Sequence, residues 1–325
     1  NYNDFYTSSV NFIWSDGKEL NKKIILHSTT KKYFEINPLS IFFVNDKIYY
    51  LNYESILKIY DLNNGKEINN YPILIDEEGG RVSRLKRIID TSLFTAQYFS
   101  KIYQNNKKKF FLYYSLYVNS ISSILNNIGV NINTTPVLDV CRKKTTNIIG
   151  NRSFSNNPKT VSILGNHCIN CYSKNKIATV MKHIPGHGLA RVDSHKKTPV
   201  VKYKDKYLFK NDFSSFKRKN SFFAMTAHVI YKDIDPINTA THSPKIIKLI
   251  RSKIGFKNLI ISDDISMKAL KNTIKINTLK AISAGCNLIL HCNAKCSEMR
   301  IVAENTPLVD NFIIKKTSQF YNFLS

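Results

Sequence analysis

Hydrophobic residues along this chain gather in short, nearly continuous runs rather than alternating with polar ones. SSVNFI (8–13), SIFFV (40–44), YPILID (71–76) and GVNINTTPVLDV (129–140) come first. IATVMKH (177–183), FFAMTAHVI (222–230), NLIISDD (258–264) and CNLILHC (286–292) complete the series. Each run is rich in β-branched or aromatic residues, the pattern of strands buried on both faces of a parallel arrangement. Most are separated by stretches with helical spacing, such as SPKIIKLIRSKIGF before the seventh run and ISMKALKNTIKINTLKAISAG after it.

Eight strands alternating with helices predict an α/β fold, a (β/α)8 TIM-type barrel that fills residues 1–325 as a single domain. An open doubly wound sheet is the competing architecture. It normally carries a glycine-rich phosphate turn after its first strand, and no such turn comes after the first run. In a barrel, chemistry is built where strands end at their C-terminal face. Asp76, Asp139, Lys182, His183, His228 and Asp263 all stand at such ends.

Composition changes this picture little. At 43% hydrophobic the chain can bury a core, and no apolar run reaches the roughly 18 residues that span a bilayer. The start, NYNDFYTSS, carries no signal-peptide pattern, so a soluble, cytoplasmic protein is expected. The net charge of +25 raises the question of nucleic acid. The excess is almost all Lys, accompanied by abundant Ile, Asn, Tyr and Phe, as an A/T-rich genome writes any soluble protein. Its densest groups, 107–109 and 217–219, are not interleaved with aromatic residues in the sequence. They read as solvated surface, and neither nucleic acid nor membrane is expected as a partner. The cysteines, with a CxxC at Cys168 and Cys171 and a CxxxC at Cys292 and Cys296, fit neither a disulfide framework nor a closed zinc site.

Four segments carry candidate chemistry. In KHIPGHGLARVDSHKKTP, His183 and His187 would share a face if helical, but Pro185, Gly186 and Gly188 break a helix, which argues against a metal. In the same segment Asp193 and His195 lie two apart, and in an extended loop the carboxylate can reach the imidazole. That contact fixes the ring's tautomer and supports its positive form, making His195 a candidate mobile general acid/base. In LIISDDISM, Asp263 and Asp264 close a strand; one is a plausible nucleophile or base, and Asp264 suits the cap of the next helix. In LIDEEGGRVSRL, Asp76 precedes a glycine turn and then Arg81 and Arg84, equally suited to an ion pair or to sugar hydroxyls. IIGNRSF sets Arg152 in a Gly/Asn turn, as a ligand clamp or a surface charge.

Together, IDEEGGRVSRL, PVLDVCRKKTTNIIGNRSFSNNP, MKHIPGHGLARVDSHKKTP, MTAHVIY, ISDDISMKAL and AGCNLILHCN resemble the family 3 glycoside hydrolases. The resemblance is specifically to the bacterial β-N-acetylhexosaminidases of peptidoglycan recycling, and it runs in the family's order across residues 74–293. It implies a retaining mechanism in which Asp263 is the nucleophile, His195 the acid/base and Asp193 its tuning partner. Asp76, Arg84, Arg152, Lys182 and His183 would bind sugar hydroxyls, and His187 would support the loop. The implied reaction is exo-release of N-acetylglucosamine from a muropeptide carrying 1,6-anhydro-N-acetylmuramic acid, in the cytoplasm, by a monomer without cofactor or metal. The rival readings are a phosphorylase using the same dyad and a non-catalytic sugar- or nucleic-acid-binding protein. A β-glucosidase that takes its acid/base Glu from a second domain is disfavoured by chain length and by the Asp193–His195 pair.

Overall fold

The computed structural model describes residues 71–142 and 148–325, together with the backbone of three strands before them. Those strands, β1 (Ile41–Val44), β2 (Lys47–Leu51) and β3 (Leu57–Asp61), form an antiparallel sheet in the order β1-β2-β3, within a compact unit ending at Tyr71. Within SIFFV, Ile41–Val44 is therefore a strand, but its partner is antiparallel β2 and not a parallel neighbour. Its apolar run does not distinguish the two, because burial makes either kind continuous. SSVNFI lies outside the described residues.

The second unit, from Pro72 to Ser325, holds β4 (Leu74–Ile75), β5 (Ile132–Asn133), β6 (Ala178–Ile184), β7 (Val200–Val201), β8 (Phe223–Thr226), β9 (Ile230–Tyr231) and β10 (Leu259–Ile261). Five of them make one parallel sheet in the order β4-β5-β6-β8-β10, and Leu288 of CNLILHC bridges in parallel to Ile261. The spatial order keeps to the chain order without reversal. That is how a barrel winds, whereas a doubly wound sheet turns back at a switch point. This unit has the TIM-barrel-like α/β fold that the strand–helix alternation predicts. FFAMTAHVI divides into β8 and β9, and β9 pairs with β7 in a separate two-stranded ladder.

Alternation within the strands divides the core. Ala224 and Ile260 face the helices, while Ala178, Val180, Phe223, Met225, Leu259 and Ile261 cluster on the other side. There they meet Phe320 of α8 (Asn311–Leu324), which is buried. On the helical side, α1 (Ala96–Asn105) starts from Thr95, whose hydroxyl caps the Tyr98 N–H. The next helix, α2 (Lys107–Asn127), buries Phe110, Tyr114, Val118, Ile121 and Leu125, an i, i+4, i+4, i+3, i+4 stripe. Truncating a fully buried residue such as Phe110 to Ala costs about 3–5 kcal/mol in comparable cores. The helix α3 (Pro158–Lys174) begins with Asn157 as cap and Pro158 in its first turn. It comes so close to β5's continuation that a Cβ on Gly165 would stand 2.2 Å from Leu138 Cδ2.

After α4 (Asp205–Asn211) come α5 (Pro244–Leu249), which runs into a π-turn, and then α6 (Ile274–Ala284), α7 (Cys296–Glu304) and α8. The helical stretch expected over 265–285 begins only at Ile274. Residues before it form turns because Asp264 engages Ser266 and starts a bend there. The cysteines are free, Cys168, Cys171 and Cys286 buried and Cys292 exposed, so Cys292 is not part of the apolar interior. Among the described residues no helix is long and apolar enough to cross a membrane.

Candidate active site

Each acid of the Asp76-Glu77-Glu78 triplet has a different task. Asp76, just past β4, accepts from Lys182 Nζ and from the Thr134 hydroxyl. Burial alone would raise its pKa, but the Lys182 charge and these hydrogen bonds bring it down to about 2. Glu77 is structural: it accepts the backbone N–H groups of Arg84 and Leu85 and so closes the glycine turn. Gly79 and Gly80 sit at φ +81° and +60°, a region that favours glycine, and a Cβ on Gly79 would also strike Tyr117 Oη at 2.4 Å. Glu78 takes Arg152 in a two-pronged grip, Nε and Nη2 each at 2.7 Å, and shares Lys182 with Asp76. Burial pushes Glu78 up, and the Lys182 and Arg152 charges outweigh it and hold it ionised.

Lys182 is thus a buried ammonium between two carboxylates. Burial opposes its charge, but Glu78 and Asp76 raise its pKa above the usual lysine value. The register of β6 against β8 shifts between Lys182 and Ile184, which lets neighbouring side chains find separate partners. His183 turns to Asp139, with Nδ1 2.7 Å from Oδ2, while the backbone N–H groups of His183 and His187 also donate to that carboxylate. Asp139 is fully buried; burial raises its pKa, but the His183 contacts lower it further. With Nδ1 committed, His183 has only Nε2 to offer a ligand.

Arg84 is exposed, with Nη2 3.6 Å from Asp76 Oδ2, so its guanidinium is at the rim and available. Arg152, in the 3-10 turn Gly150–Arg152, is largely consumed by Glu78 and the Ile148 carbonyl. Arg81 reaches the same carbonyl of Ile148, tying the two turns together.

Beyond β10 the two aspartates part company. Asp264 accepts from the Ser266 N–H and hydroxyl and from the Cys292 N–H. It caps a turn, not a helix. Asp263 accepts one hydrogen bond, from the Asp264 N–H to Oδ1 at 2.8 Å, leaving Oδ2 unengaged among the described residues. Burial raises its pKa; nearby His228 and His183, the Asp264 N–H and Lys182 together lower it below the usual carboxylate value. His228 is itself buried, which lowers its own pKa and keeps it neutral.

The contact that the Asp193–His195 spacing predicts is made: His195 Nδ1 lies 3.0 Å from Asp193 Oδ1, which also accepts the His195 N–H. Burial acts to raise Asp193, and the His195 contacts bring it down instead. The imidazole is 68% exposed, and no hydrogen bond or ion pair among the described residues joins it to Asp263. The loop is docked, though: the Ala269 N–H donates to the Ser194 carbonyl at 3.0 Å, and the Thr198 hydroxyl donates to the Ala269 carbonyl at 2.7 Å. His187 lies in this loop, not on a helix, with its ring 5.6 Å from that of His183. Burial drives its pKa down to about 4, so it is neutral.

Sequence reasoning passes over Glu78, and it sees Asp139 and His228 only as polar strand ends. The acidic triplet is the signal that could draw notice to Glu78; that Asp139 serves His183 is a tertiary fact. Among the described residues no group of three or more His, Cys, Asp or Glu side chains is arranged to hold a metal.

Residues 51–318 match the family described as glycosyl hydrolase family 3 N terminal domain. A beta-hexosaminidase of Nitrosomonas eutropha is 32% identical over 253 residues, covering 74% of this chain and 71% of that protein. One from Thioalkalivibrio sulfidiphilus is 32% identical over 226 residues, covering 68% and 64%. NagZ from Neisseria gonorrhoeae, solved with N-trifluoroacetyl-D-glucosamine, superposes with a TM-score of 0.69 at 26% identity, over 77% of this chain and 73% of that one. A family 3 beta-N-acetylglucosaminidase from Paenibacillus sp. shares the fold at TM-score 0.66 and 23% identity, and the chain spans 51% of its length.

Proposed function

The chain belongs to glycosyl hydrolase family 3, and from that membership we propose that it is a retaining exo-β-N-acetylglucosaminidase acting on muropeptides. The observation that carries the reading is Asp263. It is an ionised carboxylate at the end of β10 with one oxygen unengaged and the Lys182 and His183 side chains near enough to act on its charge.

In the proposed reaction Asp263 Oδ2 attacks the anomeric carbon as the bond to the leaving oxygen breaks, giving a glycosyl ester. His195 Nε2 gives its proton to that oxygen, since Nδ1 is engaged by Asp193. In the second step a water loses its proton to His195 and attacks the same carbon, freeing Asp263 with retained configuration. Once it has given up that proton the imidazole is neutral, and it does not repel the nucleophile's charge as a second carboxylate would. Asp76, Lys182, His183, Arg84 and the free donors of Arg152 bind sugar hydroxyls. The substrate is a β-linked N-acetylglucosamine on 1,6-anhydro-N-acetylmuramic acid, handled in the cytoplasm by a monomeric, cofactor-free enzyme.

The test is incubation with an aryl N-acetyl-β-glucosaminide, with and without phosphate. Free N-acetylglucosamine at equal rates in both arms supports the reading. A sugar phosphate formed whenever phosphate is present would make the protein a phosphorylase, and no product in either arm would make it a binding protein.

A further inference from the structure

His228, just past β8, and Thr241, in the 3-10 turn Ala240–His242, touch none of the groups assigned to the sugar, yet both are fully buried. His228 Nε2 lies 2.9 Å from the backbone carbonyl oxygen of Asp264. Its Nδ1 lies 2.7 Å from Thr241 Oγ1, which in turn lies 2.8 Å from Thr226 Oγ1. A carbonyl oxygen can only accept, so Nε2 carries a proton. Burial keeps the ring neutral, so Nδ1 is an acceptor and takes the single hydroxyl proton of Thr241 at 2.7 Å in preference to the Ala227 carbonyl, 3.4 Å away. Thr241 then has only lone pairs to offer Thr226, which donates to it. The chain runs one way, from Thr226 through Thr241 and His228 to the Asp264 carbonyl.

At its far end this chain completes a clamp. The Asp264 side chain is held by Ser266 and by the Cys292 N–H, and its carbonyl by His228. What remains is the Asp264 N–H, and that is the donor on Asp263 Oδ1. We infer that His228, locked in one tautomer by Thr241, is a positioning residue that pins the carbonyl end of Asp264, steadying the residue whose N–H on the other side holds Asp263 Oδ1, and thereby aims the free oxygen of Asp263. The inference rests on Asp263 being the nucleophile. Its energetic logic is preorganisation: a carboxylate held by a fixed donor loses less freedom on reaching the transition state than one on a loose turn.

Such a role affects the rate of the first chemical step and leaves sugar binding alone. Thr241→Val keeps the shape and removes the hydroxyl; Thr241→Ser restores it. With a dinitrophenyl N-acetyl-β-glucosaminide, Thr241→Val should slow formation of the intermediate about tenfold with KM nearly unchanged, and Thr241→Ser should recover most of the loss. A second measurement needs no variant: nitrogen NMR of the wild-type protein should show His228 neutral, protonated on Nε2 and unprotonated on Nδ1. A protonated Nδ1, an unchanged kcat in Thr241→Val, or a loss confined to KM would each overturn the proposal. A wild-type protein inert toward the glycoside would overturn the nucleophile reading and with it the positioning role, while the NMR spectrum would still report on the hydrogen-bond chain itself.

Discussion

Asp264 gives its backbone N–H to Asp263 at 2.8 Å while its own carboxylate is tied to Ser266, so of two adjacent and identical side chains only one has an oxygen left over. Asp263→Asn should therefore abolish turnover and leave the fold intact, because an amide cannot serve as the anionic nucleophile. Asp264→Asn should weaken the turn and cost stability, about 1–2 kcal/mol for hydrogen bonds lost to a charged acceptor. An activated fluorosugar combined with peptide mapping checks the assignment: the label belongs on Asp263, and a label on Asp264 reverses it.

Lys182 neutralises Asp76 and Glu78 at once, so Lys182→Met should be costly twice over. Removing one partner of a buried pair costs about 3–5 kcal/mol in comparable cases, read here as a lower denaturant midpoint at neutral pH. The acid limb should move as well. Asp76 has its folded pKa depressed from 3.8 to about 2, so its contribution is complete above 3.8 and is lost as pH falls toward 2. Without Lys182 the folded pKa moves back up toward the unfolded 3.8, so that acid-side loss should shrink or vanish and the variant's profile should be flatter there. An unmoved acid limb in the variant would show that the pairing does not set the carboxyl's affinity for protons.

Protonating the departing oxygen matters most for a poor leaving group. His195→Ala should therefore cripple cleavage of a disaccharide far more than formation of the intermediate from a dinitrophenyl glycoside. The intermediate should then accumulate, and azide, which needs no base, should rescue turnover and give a β-configured azido sugar. Asp193→Asn should show a milder form of the same pattern. Equal losses across leaving groups without azide rescue would reduce His195 to a loop residue.

His187 is buried and its pKa is lowered from 6.5 to about 4. The unfolded chain takes up this proton below pH 6.5 and the folded one does not until about 4. The stability attached to it is whole above 6.5 and falls as pH drops toward 4, by up to about 3 kcal/mol at 1.36 per pKa unit. His187→Asn should flatten this part of the profile. Denaturation midpoints measured at pH 7.5 and 5 that fall equally in both proteins would contradict it.

Activity should survive exhaustive chelation. The proposed chemistry asks only for a carboxylate and an imidazole, and Pro185 and Gly186 deny His183 and His187 a shared helical face. Loss of turnover with EDTA, restored by zinc, would point to a different reaction.

The candidate site is legible in the sequence where charged residues coincide with strand ends. Asp76, Lys182, His183 and Asp263 announce themselves because a charged residue closing an apolar run is unusual, and the Asp193–His195 spacing predicts a contact that the loop makes. What a sequence does not reveal is who satisfies whom. Asp139 meets His183 across 44 positions and Arg152 meets Glu78 across 74, separations at which no spacing rule operates. The choice between Asp263 and Asp264 stays open in the sequence for the same reason, since it depends on Ser266 and on the distant Cys292 N–H. SIFFV reads as a barrel strand because local hydrophobicity reports burial and not the direction of the neighbour. The lysines, too, hide some organisation: Lys217 and Lys253 sit over the ring of Phe209, a contact that their sequence positions do not suggest.

A Cβ on Gly188 would stand 2.1 Å from the Val140 carbonyl and 2.9 Å from Asp212 Oδ1, and one on Gly186 would meet the Asp212 carboxyl at 2.7 Å. The glycines of the histidine-rich loop are thus cut to fit a buried aspartate that lies beyond the end of that loop in sequence. For anyone transplanting this histidine-rich loop into another barrel, the transferable module is loop plus Asp212. A graft of Lys182–Pro199 alone would arrive without the surface it was shaped on, and should be screened together with its aspartate from the first library onward.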